Sequence, residues 1–265
     1  MATSDDGRDP DLVAVTEGPE AASELTRPPG LDRERILQAA IAFIDRHGLA
    51  ALTMRRLGAQ LGVEAMALYR YVPGREDLLD GVVEKVVDSL FDDDDVPDDI
   101  HLEHHSGWPD YLVRLAHGVR RIALAHPAVF PLVASRPPAA PWVRPPLRSL
   151  RMVESFLQTM PEGGVSDQAA VAAYRAYSSF LLGHLLLEVS QKGAQVSLLD
   201  LPKGDEDAQR KTDLTRYPHL LELEPLLSQD KSAGEFEESL ENLLDRLTRV
   251  LHEAKNSDDG SVHDL

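Results

Sequence analysis

Apolar residues recur at helical spacing along most of this chain, and nowhere do they alternate as a half-buried strand requires. Ile36, Ala40, Phe43, Ile44 and His47 form the first stripe, with Asp32 as its N-cap and Gly48 as its C-cap. Thr53 stands where it can cap a second helix that runs to Leu61, and Gly62 supplies a tight turn. A third, short helix covers Glu64 to Tyr71 and is broken by Pro73-Gly74. A fourth begins near Arg75 and continues through Leu78, Val82, Val86 and Leu90. An acidic, proline-containing loop follows at 92–99.

Further helices are expected over 108–126, with Leu112, Leu115, Val119 and Ile122 on one face, and in a short element from Pro127 to Ser135. A proline-rich link at 137–146 leads to helices at 147–160 and 166–191. A polar loop at 192–212 precedes a broken helix at 214–227. The last helix carries Phe236, Leu240, Leu243, Leu247 and Val250. The fold class is therefore all-α: a three-helix helix-turn-helix head at 31–78 and a larger helical body at 79–254. Residues 1–30, with seven acids and two arginines, lack periodicity and end in Pro28-Pro29-Gly30, so they are expected to be a disordered acidic tail. Residues 255–265 are expected to be a second disordered tail. No internal repeat is present.

Charge sharpens this picture. The chain carries a net charge of −18. Yet between Arg46 and Arg75 there are five arginines (Arg46, Arg55, Arg56, Arg70, Arg75) against the single acid Glu64. A cationic block inside an acidic protein points to a polyanionic partner met on one small face. There is no cysteine, hence no disulfide framework and no thiolate metal site. No apolar run approaches the ~18 residues of a membrane span, and the first thirty residues contain no signal-peptide core, so a soluble cytoplasmic protein is expected.

Two short helices joined at Gly62 make a helix-turn-helix pattern, whose second helix would enter the major groove of double-stranded DNA. Ala65, Met66 and Ala67 let the backbone come close and offer apolar surface to thymine methyl groups. Arg55 and Arg70 can reach guanine or phosphate, while Thr53, Tyr69 and Tyr71 can donate to phosphates. Arg75 opens a helix whose free N–H groups also attract a phosphate. Leu57, Leu61, Val63 and Leu68 are assigned to the small core beneath.

Ala51-Leu52-Thr53, Arg55-Arg56-Leu57, Leu61-Gly62-Val63, Ala67 through Val72, and Arg75-Glu76-Asp77-Leu78-Leu79 together resemble the DNA-binding domain of TetR-type transcriptional regulators. The resemblance implies an all-α homodimer that binds an operator and responds to a small molecule. By position it places DNA contact on Thr53, Arg55, Ala65, Met66, Ala67, Tyr69, Arg70, Tyr71 and Arg75. More faintly, Trp108, Arg136-Pro137 and the run Phe180 to Leu185 look like the tetracycline-repressor branch. Anchoring on them implies ligand contact at Leu115, Val119, Leu132, Arg136, Tyr174 and Ser178. The departures matter. A magnesium-ligating histidine of that branch falls on Leu132, a carboxylate near the metal on Leu187 with Glu188 next to it, and a drug-gripping asparagine on Leu115. A magnesium–tetracycline chelate needs oxygen and imidazole groups there, so a largely apolar ligand is expected instead.

His101, His104 and His105 have spacing that a metal site could use, but a solvated loop is the expected reading. Arg120-Arg121 and Arg148/Arg151 could read as anion sites but are expected to be solvent-facing partners for the surplus of acids, and His184 is expected to pack. No metal or cofactor is expected. The helices at 166–191 and 234–252 are the dimerisation candidates. No Ser/His/Asp elbow, Gly-rich phosphate loop or paired-carboxylate constellation supports an enzyme. The alternative reading is a helical module whose helix-turn-helix meets a protein.

Overall fold

The structure is a computed structural model that describes residues 30–91, 97, 101–102, 105–136, 149–162, 165–192 and 216–260. The expected N-terminal tail up to residue 29, the proline-rich link, most of the 192–212 loop and His104 lie outside the described residues. Residues from Arg33 onward form one compact unit. Among the described residues every regular element is helical: α1 (Arg33–His47), α2 (Met54–Leu61), α3 (Ala65–Leu68), α4 (Arg75–Asp88), α5 (Trp108–Ala125), α6 (Phe130–Ser135), α7 (Leu150–Glu162), α8 (Asp167–Gln191), α9 (Pro218–Leu227) and α10 (Ser232–Gly260). No helix among them is long and apolar enough to cross a membrane.

The N-terminal helices close over a small core. Ile36, Ala40 and Ile44 of α1 meet Leu57 of α2, Leu68 of α3 and Val72, all fully buried. Leu61 and Val63, expected in this core, are only half-buried. Gly48 ends α1 at φ 78°, a conformation that disfavours any side chain, and a single 3-10 turn at Leu49–Ala51 carries the chain to α2. The recognition-type helix α3 is shorter than the expected span to Tyr71. After Leu68 the N–H groups of Tyr71 and Val72 both return to the Leu68 carbonyl, at 2.9 and 3.0 Å. The chain tightens into a turn there while Tyr69 keeps helical angles (φ −64°, ψ −15°), and Pro73 bars the helix from continuing past Val72.

α4 links these helices to the rest. One side packs on α1, where Gly81 leaves room for Leu37; the other packs on α5, α6 and α7. Arg33 and Lys85 cross-brace the α1–α4 pair: Arg33 Nη1 lies 2.7 Å from Asp77 Oδ2, and Lys85 meets Glu34. The remaining helices form a bundle in which α8 packs against α5, α6, α7 and α10. Its centre is aromatic. Phe156 touches Tyr111, Tyr174 and Tyr177 edge-on or tilted, with centroids 5.4–6.5 Å apart. The Tyr177 hydroxyl donates to the Leu112 carbonyl at 2.6 Å, and the Tyr111 hydroxyl to Ser155 Oγ at 2.9 Å. Both buried phenols are thereby satisfied.

The stripe of α10 serves its own bundle first. Phe236, Leu240 and Leu247 are buried, while Val250 is 47% exposed. α10 continues to Gly260, beyond its expected end at His252, because nothing between them breaks a helix. α9 buries none of its residues.

Candidate DNA interface and ligand core

Thr53 begins the DNA-facing candidate. Its backbone is extended (φ −133°), and its hydroxyl accepts from the Arg56 N–H at 3.2 Å, fixing the start of α2. Gly62 closes α2 in the left-handed region at φ 72°, where a side chain would be strained. The turn then folds back so tightly that Val63 N–H donates to the Gly58 carbonyl at 2.9 Å. A Cβ on Gly58 would sit 2.9 Å from Val63 O and 3.3 Å from Ala65 N, both backbone atoms. Gly58 therefore sets how closely α3 approaches α2. Sequence reasoning passed over it, although a glycine in the middle of a helix is a signal of close packing.

Most of the predicted contact residues are open to solvent. Met66 is 76% exposed and Tyr69 42% exposed, while Ala65, Ala67 and Tyr71 are half-buried. Thr53, Arg55, Arg70 and Arg75 are exposed. The five arginines of the block divide. Arg46 donates to the Ala42 carbonyl at 2.9 Å. Arg56 donates to the Ala51 carbonyl at 3.0 Å and lies over the Phe43 ring. Arg75 is loosely paired with its neighbour Glu76 at 4.0 Å. Arg55 and Arg70 have no polar partner among the described residues. Two of the cations thus hold the fold, and two keep their donors for something outside it. The turn after α3 is fixed by Arg33, which donates to the Tyr71 carbonyl at 3.2 Å. Arg33 was another residue that the reading of the block omitted.

The residues expected at a ligand lie in the bundle. Leu115 and Val119 are on α5, Leu132 is on α6, and Tyr174 and Ser178 are on α8. All five are buried, with exposures of 1–6%. Ser178 Oγ is buried without a hydrogen bond among the described residues. Burial pushes the Tyr174 phenol up to about 12, with the Ser178 hydroxyl pulling the other way. The neighbouring hydroxyls feel one another without meeting in bonding geometry. Leu187, where the resemblance put a metal-side carboxylate, is 68% exposed, and Glu188 turns inward instead.

Arg136 does not stand among those five. It caps α6 and reaches to α4, with Nε 2.7 Å from Asp80 Oδ1 and Nη2 2.8 Å from Glu76 Oε2. Burial works against its charge, but the hydrogen bonds to Glu76 and Asp80 outweigh it and raise the guanidinium pKa.

Two further expectations are corrected. Arg120, expected to pair with an acid at the surface, does pair with one but largely out of solvent: it makes a two-pronged contact with buried Glu188 (2.7 and 3.1 Å) and lies over the Phe236 ring of α10. The pairing is explained by the helical register of α5, which points Arg120 at α8. His101, expected in a solvated loop, is buried, and His105 packs edge-on against Tyr111. His184 packs as expected, against Phe180 and Phe236.

Comparison with known proteins agrees with this geometry. Residues 36–82 match the model of bacterial regulatory proteins of the tetR family. Residues 102–251 match the tetracyclin repressor-like C-terminal domain, more than half of the chain. The HTH-type transcriptional repressor DrrR1 of Streptomyces coeruleorubidus is 26% identical over 78% of this chain and 67% of its own length. The class D tetracycline repressor protein of Escherichia coli is 26% identical over 81% of this chain and 88% of its own. A possible TetR family transcriptional regulator from Streptomyces coelicolor A3(2) superposes with a TM-score of 0.62 at 30% identity. That superposition covers 83% of this chain and all of the other. With both family models matched in order and the helix-turn-helix formed as they require, the chain belongs to the TetR family of transcriptional regulators.

Proposed function

We propose that the protein is a repressor that binds a palindromic operator as a homodimer and is released by a small, largely apolar molecule. Residues 31–78 form its DNA-binding head and 79–254 its ligand-binding and dimerising body; it works in the cytoplasm and catalyses no reaction. The carrying observation is the pairing of an exposed Met66 with the unpartnered arginines Arg55 and Arg70 on one helix-turn-helix. The arginines grip phosphate or guanine, and Ala65, Met66 and Ala67 discriminate through apolar contact. Thr53, Tyr69, Tyr71 and Arg75 complete the set of contacts along the backbone.

One such head binds DNA only non-specifically, at about 10⁻⁴–10⁻⁶ M. Two heads held rigidly act at high effective concentration. The outer face of α8 favours pairing: Val171, Ala172, Ala176, Ser179, Gly183 and Leu187 are exposed, and most are small enough for helices to approach closely. Selection of bound DNA from a random pool tests the reading. Inverted half-sites with centres about 34–36 Å apart are expected; a single unpaired site, or no selected sequence, overturns it.

For the ligand, the buried Leu115, Val119, Leu132 and Tyr174 favour an apolar or aromatic molecule, with Ser178 Oγ and Tyr174 as its few polar anchors. Arg136 would stand at the rim. Leu115 and Leu132 offer magnesium–tetracycline no ligand atoms. Titration calorimetry should therefore detect no micromolar binding of that chelate, and binding at that level would reject the apolar reading.

A further inference from the structure

Sulfur is scarce in this chain, and its exposure is uneven. There is no cysteine, and there are five methionines. Three of them are packed away: Met54 in α2 is 9% exposed, and Met152 and Met160 in α7 are 2% and 1% exposed. Met66, in α3, is 76% exposed. Its neighbours along α3, Ala65 and Ala67, end at Cβ and are too short to shield it. A thioether this open meets small oxidants in solution, and no thiol in the chain competes with it.

The same side chain belongs to the surface assigned above to DNA, where it would make apolar contact with a thymine methyl group. Hydrogen peroxide changes that chemistry in one step. The sulfur lone pair attacks one peroxide oxygen, and the O–O bond breaks as an S–O bond forms. The proton on the attacked oxygen passes to the departing hydroxide, which leaves as water. Sulfur is oxidised to the sulfoxide and the peroxide is reduced. The product is a polar side chain with a hydrogen-bond acceptor and no donor. Most polar atoms on the major-groove edges are acceptors as well: N7 and O6 of guanine, N7 of adenine and O4 of thymine. A sulfoxide pressed against them loses water without gaining a partner. Its net charge is unchanged, so the arginines keep their attraction for phosphate.

We propose that Met66 is an oxidation site through which a peroxide releases the operator, alongside the small molecule bound in the body. This rests on the DNA-binding reading given above. The oxidant acts on the vacant repressor, since operator binding covers Met66 and shields its sulfur. Bound DNA therefore slows oxidation, and oxidation weakens DNA binding. Release is reversible, because sulfoxide reductases return the thioether, one enzyme for each epimer.

In the test, full-length protein is exposed to hydrogen peroxide and its peptides are mapped by mass spectrometry for the gain of one oxygen atom. Met66 should be oxidised at least about tenfold faster than Met54, Met152 and Met160, and the palindrome selected by the wild type should slow it. Fluorescence anisotropy should then show palindrome affinity lowered about 5–100-fold. Binding to unrelated DNA should stay within about twofold, with an unchanged salt slope. Methionine sulfoxide reductases should restore the lost affinity. Met66→Leu, whatever its own starting affinity, should lose nothing further on peroxide treatment. Oxidation of Met66 no faster than that of the buried methionines overturns the proposal. So does palindrome affinity that survives oxidation of Met66, or an equal loss in Met66→Leu, which would place the sensitive group elsewhere. Failure of the wild type to select any DNA removes the DNA-binding reading, and release by peroxide with it, while the rate of Met66 oxidation stands as a separate result.

Discussion

Arg55 and Arg70 of the helix-turn-helix and the buried arginines of the bundle answer to different demands. On the recognition face, Arg55 and Arg70 extend into solvent with no partner among the described residues. In the bundle, Arg120 meets buried Glu188, Arg136 meets Asp80, and Arg114 meets Asp110 at 3.0 Å. Asp110 shows the consequence for its partner. Burial would raise its pKa, but the Ser106 N–H and Arg114 together hold it below the usual carboxylate value. The chain carries a net charge of −18, so acids are available almost everywhere, but between Arg46 and Arg75 there is only Glu64. The contrast separates cations that hold the molecule together from cations that have no partner among the described residues.

The sharpest way to break that contrast is inside the bundle. Glu188→Ala leaves Arg120 without its carboxylate on a largely buried side chain. The unfolding free energy from denaturant melts should fall by about 3 kcal/mol, near the low end for an orphaned pair because Arg120 keeps some solvent. A loss under about 1 kcal/mol would mean that the pair is no more than a surface contact.

On the recognition face the same kind of change should leave stability within about 0.5 kcal/mol, as for an exposed side chain. Arg55→Ala and Arg70→Ala should instead weaken operator binding by about 1–3 kcal/mol for whichever contacts a base. That variant alone should also relax sequence preference when selection is repeated; unaltered binding by both would end the distinction drawn here.

Gly58→Ala probes the backbone that presents those arginines. Alanine adds up to about 1 kcal/mol of helix propensity. The new Cβ meets Val63 O, a backbone atom that cannot swing aside, and overpacking of this kind costs about 1–3 kcal/mol. A net loss of about 1 kcal/mol is expected in urea melts, with a larger loss of operator affinity as α3 is pushed away. A stabilised variant would show that the turn has room to spare.

The smallest effect is expected from Thr53→Ala, which removes the cap of α2 at a cost of about 1 kcal/mol. Thr53→Ser, which keeps the accepting oxygen, should recover most of it. If serine fails where threonine works, packing of the Thr53 methyl group, and not the cap, is the better account.

Most elements were legible in the sequence because their punctuation is local. Asp32, Gly48, Thr53, Gly62 and Pro73 each mark a boundary through their own backbone or side-chain chemistry, and helices α1, α2, α4, α5 and α8 fall within a residue or two of expectation. The exposure of Arg55, Met66, Tyr69 and Arg70 was legible for the same reason: short helices present their residues in a register that spacing alone determines. What escaped was long-range. Asp45 meets His126 and Asp80 meets Arg136 only after the chain has folded back on itself, and no local pattern records such pairs. Arg120 was expected to pair with an acid at the surface, and no spacing shows that the acid would be the buried Glu188 or that Arg136 would meet Asp80. Leu187 and Glu188 exchange their expected faces because one residue along a helix rotates a side chain by about 100°.

α9 exposes Leu220, Leu221, Leu223, Leu226 and Leu227, each by 44% or more, on a protein that repels its own copies through its acidity. Dissolved salt then acts on two equilibria with opposite sign. It screens the repulsion between acidic protomers and lets apolar flanks approach. It also removes the gain from counterions released when arginines settle on phosphate. Assembly tightens as ionic strength rises while DNA binding loosens, so occupancy of an operator by pairs should peak at an intermediate ionic strength.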